Sequence, residues 1–384
     1  MLLALAATGC ASDEETTEAT VEAVATAAAT EEAPTATPEP APTPDAGNML
    51  GALVQIDGAG FAAIDSNLNG EKPEIAAAWL GKVEKASLAA QSVLWPDATK
   101  GAVDAFVKAA NDLAGALKAD DAAKAAPLAK AAAEAQAALS AETYKAVSAA
   151  GAKSVTGAGP TLGALGVINL AGIATMEKTL VDGGEVNAAW EGRVANARIA
   201  ASALEWPGES QAAADTFIKD ATAFEAAIKA GDAAKATEAA TALNKSRGTL
   251  ATRGYGALSG MRETADGNGA KLAALAAVDN AAFHDIDETL NGDKAEVNAA
   301  WAGRIGTAKR AVQTIKWGEG VQDLATTLSR AISALETELA VKDKDGKPAV
   351  DIAKAAAAAK AAHEAQHAFS EKAYAGLGSG VSAH

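Results

Sequence analysis

Two histidines four residues apart, His363 and His367, stand in the segment His363-Glu364-Ala365-Gln366-His367. At 3.6 residues per turn this spacing puts both imidazoles on one face of a helix, where two neutral ring nitrogens can chelate one divalent ion. All four histidines of the chain, His284 and His384 included, fall in its last third, and Glu288 follows His284 at the same helical interval. His284, Glu288, His363 and His367 are therefore candidate metal ligands, with Asp279 as a further carboxylate near the apolar stripe and Asp287 as another donor on the same segment. Cys10 is the only cysteine and is remote in sequence, so the donors are nitrogen and oxygen. Such a set suits zinc, copper(II) or iron better than copper(I).

Over five residues this segment resembles the H-E-x-x-H motif of zinc metalloproteases, in which two His bind zinc and the Glu is the general base. An earlier part of the chain reads Ala133-Glu134-Ala135-Gln136-Ala137 at the equivalent place, so Glu364 and Gln366 are background and only the two His are new. No nucleophile–base constellation and no phosphate loop is present, and no catalytic residue is expected. A non-catalytic metal site fits better. Where the last third has His284, Glu288, His363 and His367, the first has Ala62, Ser66, Ala133 and Ala137, and the second Ala174, Lys178, Asn244 and Gly248. With Phe369 facing the core, 100° per residue turns His363 about 120° and His367 about 160° away from it, toward solvent or a neighbouring unit. Level helix ends would leave His284 about 9 Å or more from the height of His363 at 1.5 Å rise per residue, with Asp279 better matched.

The elements that carry these residues belong to a threefold repeat. Trp79, Trp190 and Trp301 are 111 residues apart, and Trp95, Trp206 and Trp317 repeat the interval. Tyr144 and Tyr255 keep it, whereas Tyr374 comes 119 after Tyr255, an excess that fits the polar loop 342–348. Internal self-similarity of this quality marks tandem duplication. The six Trp and three Tyr are read as packing anchors of the repeat. Leu53, Ile56, Phe61, Ile64 and Leu68 trace a helical stripe that stops at Asn69-Gly70, and a second helix runs from near Glu74 to Trp95, stopped by Pro96. Phe106, Leu113 and Leu117 mark a third helix, and Leu128, Leu139 and Val147 a fourth. The expectation is an all-α protein of three tandem four-helix-bundle modules, at 48–149, 160–258 and 270–378, after an N-terminal spacer. Asp57, Asn169 and Asp279 occupy one position of the repeat, close to the stripe, where a hydrogen bond to another helix would fix register. Residues 154–176 carry no charge, but Pro160, Asn169 and the Gly content favour a soluble helix over a membrane span.

Composition agrees. The chain is rich in Ala and only 4% aromatic, which suits closely packed helices. The net charge is −16, and residues 11–47 hold nine acids without one Lys or Arg, leaving 40 acids against 33 bases elsewhere. Without a basic stripe, this excess argues against a nucleic-acid partner. The start, Met-Leu-Leu-Ala-Leu-Ala-Ala-Thr-Gly before Cys10, resembles the lipobox of bacterial lipoproteins. The resemblance implies a signal segment at 1–9, diacylation of Cys10 as the new N-terminus, and a location in the cell envelope outside the cytoplasmic membrane. An in-frame start further upstream would supply the basic n-region that precedes such segments. Residues 10–47, acidic and rich in Thr, Ala and Pro, read as a disordered spacer. Two functional expectations stand. One is a lipid-anchored surface protein that acts by display or binding of a protein, polymer or small ligand, without catalysis or cofactor. The other is a metal-binding or metal-handling protein using the third repeat.

Overall fold

A computed structural model of the chain describes residues 44–342 and 349–378. Cys10, the spacer up to residue 43, most of the polar loop (343–348) and His384 lie outside the described residues. The described chain is all-α. The first repeat contains α1 (Ala46–Gly58), α2 (Phe61–Leu68), α3 (Ala77–Gln91), α4 (Asp97–Lys118) and α5 (Ala122–Ala149). The second contains α6 (Ala158–Leu170), α7 (Ile173–Val181), α8 (Trp190–Ala203), α9 (Ser210–Ala230) and α10 (Ala233–Leu258). The third contains α11 (Asn268–Ala281), α12 (Phe283–Asn291), α13 (Ala300–Thr314), α14 (Gln322–Leu339) and α15 (Ile352–Gly378). Extended pairing is slight and includes a two-residue parallel ladder, β1 (Val155–Thr156) with β2 (Leu204–Glu205), and the equivalent single bridge Ala265–Ile315.

Each repeat therefore has five helical segments where four were expected, because the first predicted helix is broken. Gly60 (φ 76°), Gly172 (φ 72°) and Ala282 (φ 56°) occupy the left-handed region at the breaks. Two of the three are Gly, for which that conformation is free of Cβ strain; Ala282 bears a cost of about 1–2 kcal/mol. The second predicted helix also ends early. α3 stops at Gln91, and the Trp95 indole folds back so that Nε1–H donates to Ala90 O at 2.6 Å. Trp206 donates likewise to Ala201 O at 2.8 Å and Trp317 to Val312 O at 2.9 Å. The last carbonyls of a helix lack intrahelical donors, and in each repeat the second Trp supplies one. The Asp before the last helix is also repeated: Asp121, Asp232 and Asp351 each accept from the backbone N–H three residues on, as N-caps do.

The core is centred on α1, α6 and α11, which pack against one another. Their approach is set by glycine. A Cβ on Gly51 would lie 1.9 Å from Gly269 O, and one on Gly163 would lie 2.9 Å from Gly51 N. Around this junction, α5 packs on α8, α10 on α13 and α15 on α3. The last helix of each repeat thus meets the third helical segment of the next, and the third repeat returns to the first. The uncharged stretch near 154–176 belongs to this interior. Residues 158–181 are apolar enough for a membrane span, yet the chain breaks there at Gly172, and α6 is buried between α1 and α11.

Candidate functional site

The break at Ala282 decides the histidine geometry. It frees α12 from the axis of α11 and lays it along α15, so His284 and His363 come together with ring centroids 4.9 Å apart. The height mismatch inferred for one continuous helix does not exist. His363 and His367, one turn apart on α15, place their Nε2 atoms 3.1 Å from each other. His363 is not turned to solvent: its side chain is 17% exposed, and Nδ1–H donates to Asp287 Oδ2 on α12 at 2.9 Å. A carboxylate on Nδ1 fixes the tautomer that leaves Nε2 as the free lone pair. His367 lies at the surface, and His284 Nε2 faces Glu288 Oε1 at 3.2 Å, both largely exposed. Asp279 is elsewhere, with Oδ2 accepting from Lys85 Nζ and from the Tyr374 hydroxyl, each at 2.8 Å. Among the described residues no three His, Cys, Asp or Glu side chains converge to hold a metal ion. What the structure gathers is a histidine pair with a carboxylate behind it.

The repeated Tyr and the repeated polar position of the first helix meet in all three copies. Tyr144 OH donates to Asp57 Oδ2 at 3.2 Å, Asn169 Nδ2 donates to Tyr255 OH at 3.3 Å, and Tyr374 OH donates to Asp279. These bonds tie the last helix of a repeat to its first. Asp57 also accepts from Gln136 Nε2 and, at 2.6 Å, from Ser140 Oγ. Burial outweighs those bonds and holds its carboxyl above the usual Asp value, while burial raises all three phenols. Gln55 of α1 donates to Tyr374 OH at 2.7 Å and to Leu272 O at 3.2 Å, across two repeats.

Sequence reasoning did not find Gln55 or Lys85, because their partners belong to another repeat and periodicity within one repeat does not report them. The Trp anchors are placed unevenly: Trp95, Trp206, Trp301 and Trp317 are buried, while Trp79 and Trp190 are half-buried. No protein-family model matches the chain, and neither a curated protein nor a solved structure is similar to it.

Proposed function

We propose that this chain is an exported, lipid-anchored protein of the cell envelope that works by binding, without catalysis, through its helical body. The observation that supports binding is the contrast between two kinds of repeated position. Residues that build the backbone, such as the capping Trp, the Tyr and the N-cap Asp, recur in all three copies. Polar residues where helices of different repeats meet, such as Lys85, Asn196 and Thr307, differ in each. A scaffold kept constant while its seams diverge is what a binding protein requires and an enzyme does not specifically require. The anchor rests on Cys10 and the acidic Pro-rich stretch after it. Expressed in a bacterial host with its native upstream region, the chain should partition into detergent with acyl mass on Cys10, and Cys10→Ala should abolish both. Unacylated wild-type protein in the cytosol would overturn the anchor.

A second reading is favoured by one observation, the Nε2–Nε2 separation of 3.1 Å between His363 and His367. With metal–nitrogen bonds of 2.0–2.1 Å, that separation corresponds to a nitrogen–metal–nitrogen angle of roughly 100°. Asp287 would be the outer partner that orients His363, and water would complete the coordination. Titration of zinc or copper(II) into the full chain should give one micromolar site, lost in both His363→Ala and His367→Ala. Binding that survives either substitution, or none at all, would remove this reading.

A further inference from the structure

The three seams between repeats are built from equivalent residues, so they can be compared position by position. At the seam between the third repeat and the first, Gln55 and Lys85 fill the space beside Tyr374, and Lys85 neutralises Asp279. At the seam between the second and third repeats every one of these groups is smaller or neutral. Ala277 stands at the Gln55 position, Thr307 at the Lys85 position and Asn169 at the Asp279 position. The result is an open cleft of about 780 Å³, into which Asn169, Tyr255, Ala277 and Thr307 all face.

Arginines line the same cleft. Arg247 replaces the Gln136 and Gln366 of the other copies, and Arg310 replaces Leu88 and Ile199, while Arg304 keeps a position that is basic throughout. No carboxylate lines the cleft, and among the described residues none of the three guanidinium groups makes an ion pair. Two acids lie nearby without lining the hollow. Glu336 Oε2 accepts from Lys309 at 2.6 Å while its Oε1 lies beside Gly306, as does Arg310, and Glu177, bonded by Asn244, also attracts Arg247, whose guanidinium donates to Asn244 Oδ1 at 2.9 and 3.0 Å. Three guanidinium groups thus border one neutral, partly aliphatic hollow, an arrangement that favours an anion between them.

We infer that this cleft is a binding site for a small organic anion, its phosphate or carboxylate groups held by Arg247, Arg304 and Arg310. Guanidinium forks match either oxyanion bidentately, and the volume is that of a small-molecule site. Asn169 and the Tyr255 hydroxyl supply neutral hydrogen-bonding groups at the floor, and Leu162 and Ala277 an apolar wall. This deepens the binding reading above and is independent of the anchor, which fractionation decides separately.

The test is calorimetric titration of the full chain with pyrophosphate and, separately, with citrate at low salt. At least one should bind saturably at one site per chain. Arg304→Gln and Arg310→Gln should each weaken it tenfold or more, and Arg193→Gln, at the equivalent of Arg304 in the second repeat, should leave it unchanged. The paired change Ala277→Gln and Thr307→Gln, which fills the hollow without adding charge, should abolish binding while the circular dichroism stays helical. Citrate or pyrophosphate binding alone would tell a carboxylate ligand from a phosphate one. Absence of saturable binding by both, or equal weakening by Arg193→Gln and Arg304→Gln, would overturn the inference.

Discussion

One repeat position illustrates how a single side chain is set by its neighbours. Asp57, Asn169 and Asp279 all meet a tyrosine, but only Asp279 has a counter-charge, Lys85, within 2.8 Å. Asp57 has hydrogen bonds and no described ion pair, and burial raises its carboxyl above 3.8. The folded state therefore holds that proton more tightly than the unfolded chain does. Its contribution to stability is complete below about 3.8 and is lost as pH rises through the raised folded value. At neutral pH the raised value is a net cost, because the unfolded chain gives up that proton more readily. Asp57→Asn would remove it with little rearrangement, since Oδ1 keeps Gln136 and Ser140, and the amide can donate to Tyr144 as Asn169 does to Tyr255. The thermal midpoint of Asp57→Asn should exceed wild type at pH 7, and the difference should shrink as the buffer is acidified toward 3.8. A lower midpoint at pH 7, or a gap that widens in acid, would show that burial is not what governs this group.

At the scale of the helix, what could be read from sequence is what depends on neighbours in sequence. The stripe Leu53 to Leu68 is helical and its large residues are buried, as its period requires. What it could not show is the break at Gly60, because a left-handed residue between two helices leaves the apolar spacing nearly unchanged. The same blind spot at Ala282 misplaced His284: one residue at φ 56° redirects α12 and brings two rings to 4.9 Å. The Trp95 position was legible as a repeat anchor but not as a helix stop, since the bond from its indole to Ala90 O lies beyond the last turn. The histidine pair itself was legible, because i and i+4 is a local relation. The arginine cleft was not, because Arg247 and Arg310 are 63 positions apart and meet only where two repeats pack.

The described body is held by helices that are buried on most sides. Ten of the 13 residues of α1 are buried, as are nine of 13 in α6 and nine of 14 in α11. A surface helix buries one face; a helix buried all round needs partners all round. Those partners come from the other repeats, so the three copies are expected to unfold together. The junction rests on Gly51, where a methyl group would fall 1.9 Å from the Gly269 carbonyl oxygen. Neither backbone can yield without moving a helix, and overpacking of this kind costs about 1–3 kcal/mol or more. Against a total stability of about 5–15 kcal/mol, that is a large fraction. Gly115, exposed within α4 with nothing within 4 Å of its added Cβ, is the converse case. There alanine only reduces the entropy of the unfolded chain and should add about 0.5–1 kcal/mol. Thermal or urea unfolding of the full chain should thus show one cooperative transition, shifted down in Gly51→Ala and slightly up in Gly115→Ala. If Gly51→Ala unfolded at the wild-type midpoint, or if it split the transition so that the second and third repeats kept wild-type stability, the repeats would be independent and the glycine junction would not be what joins them.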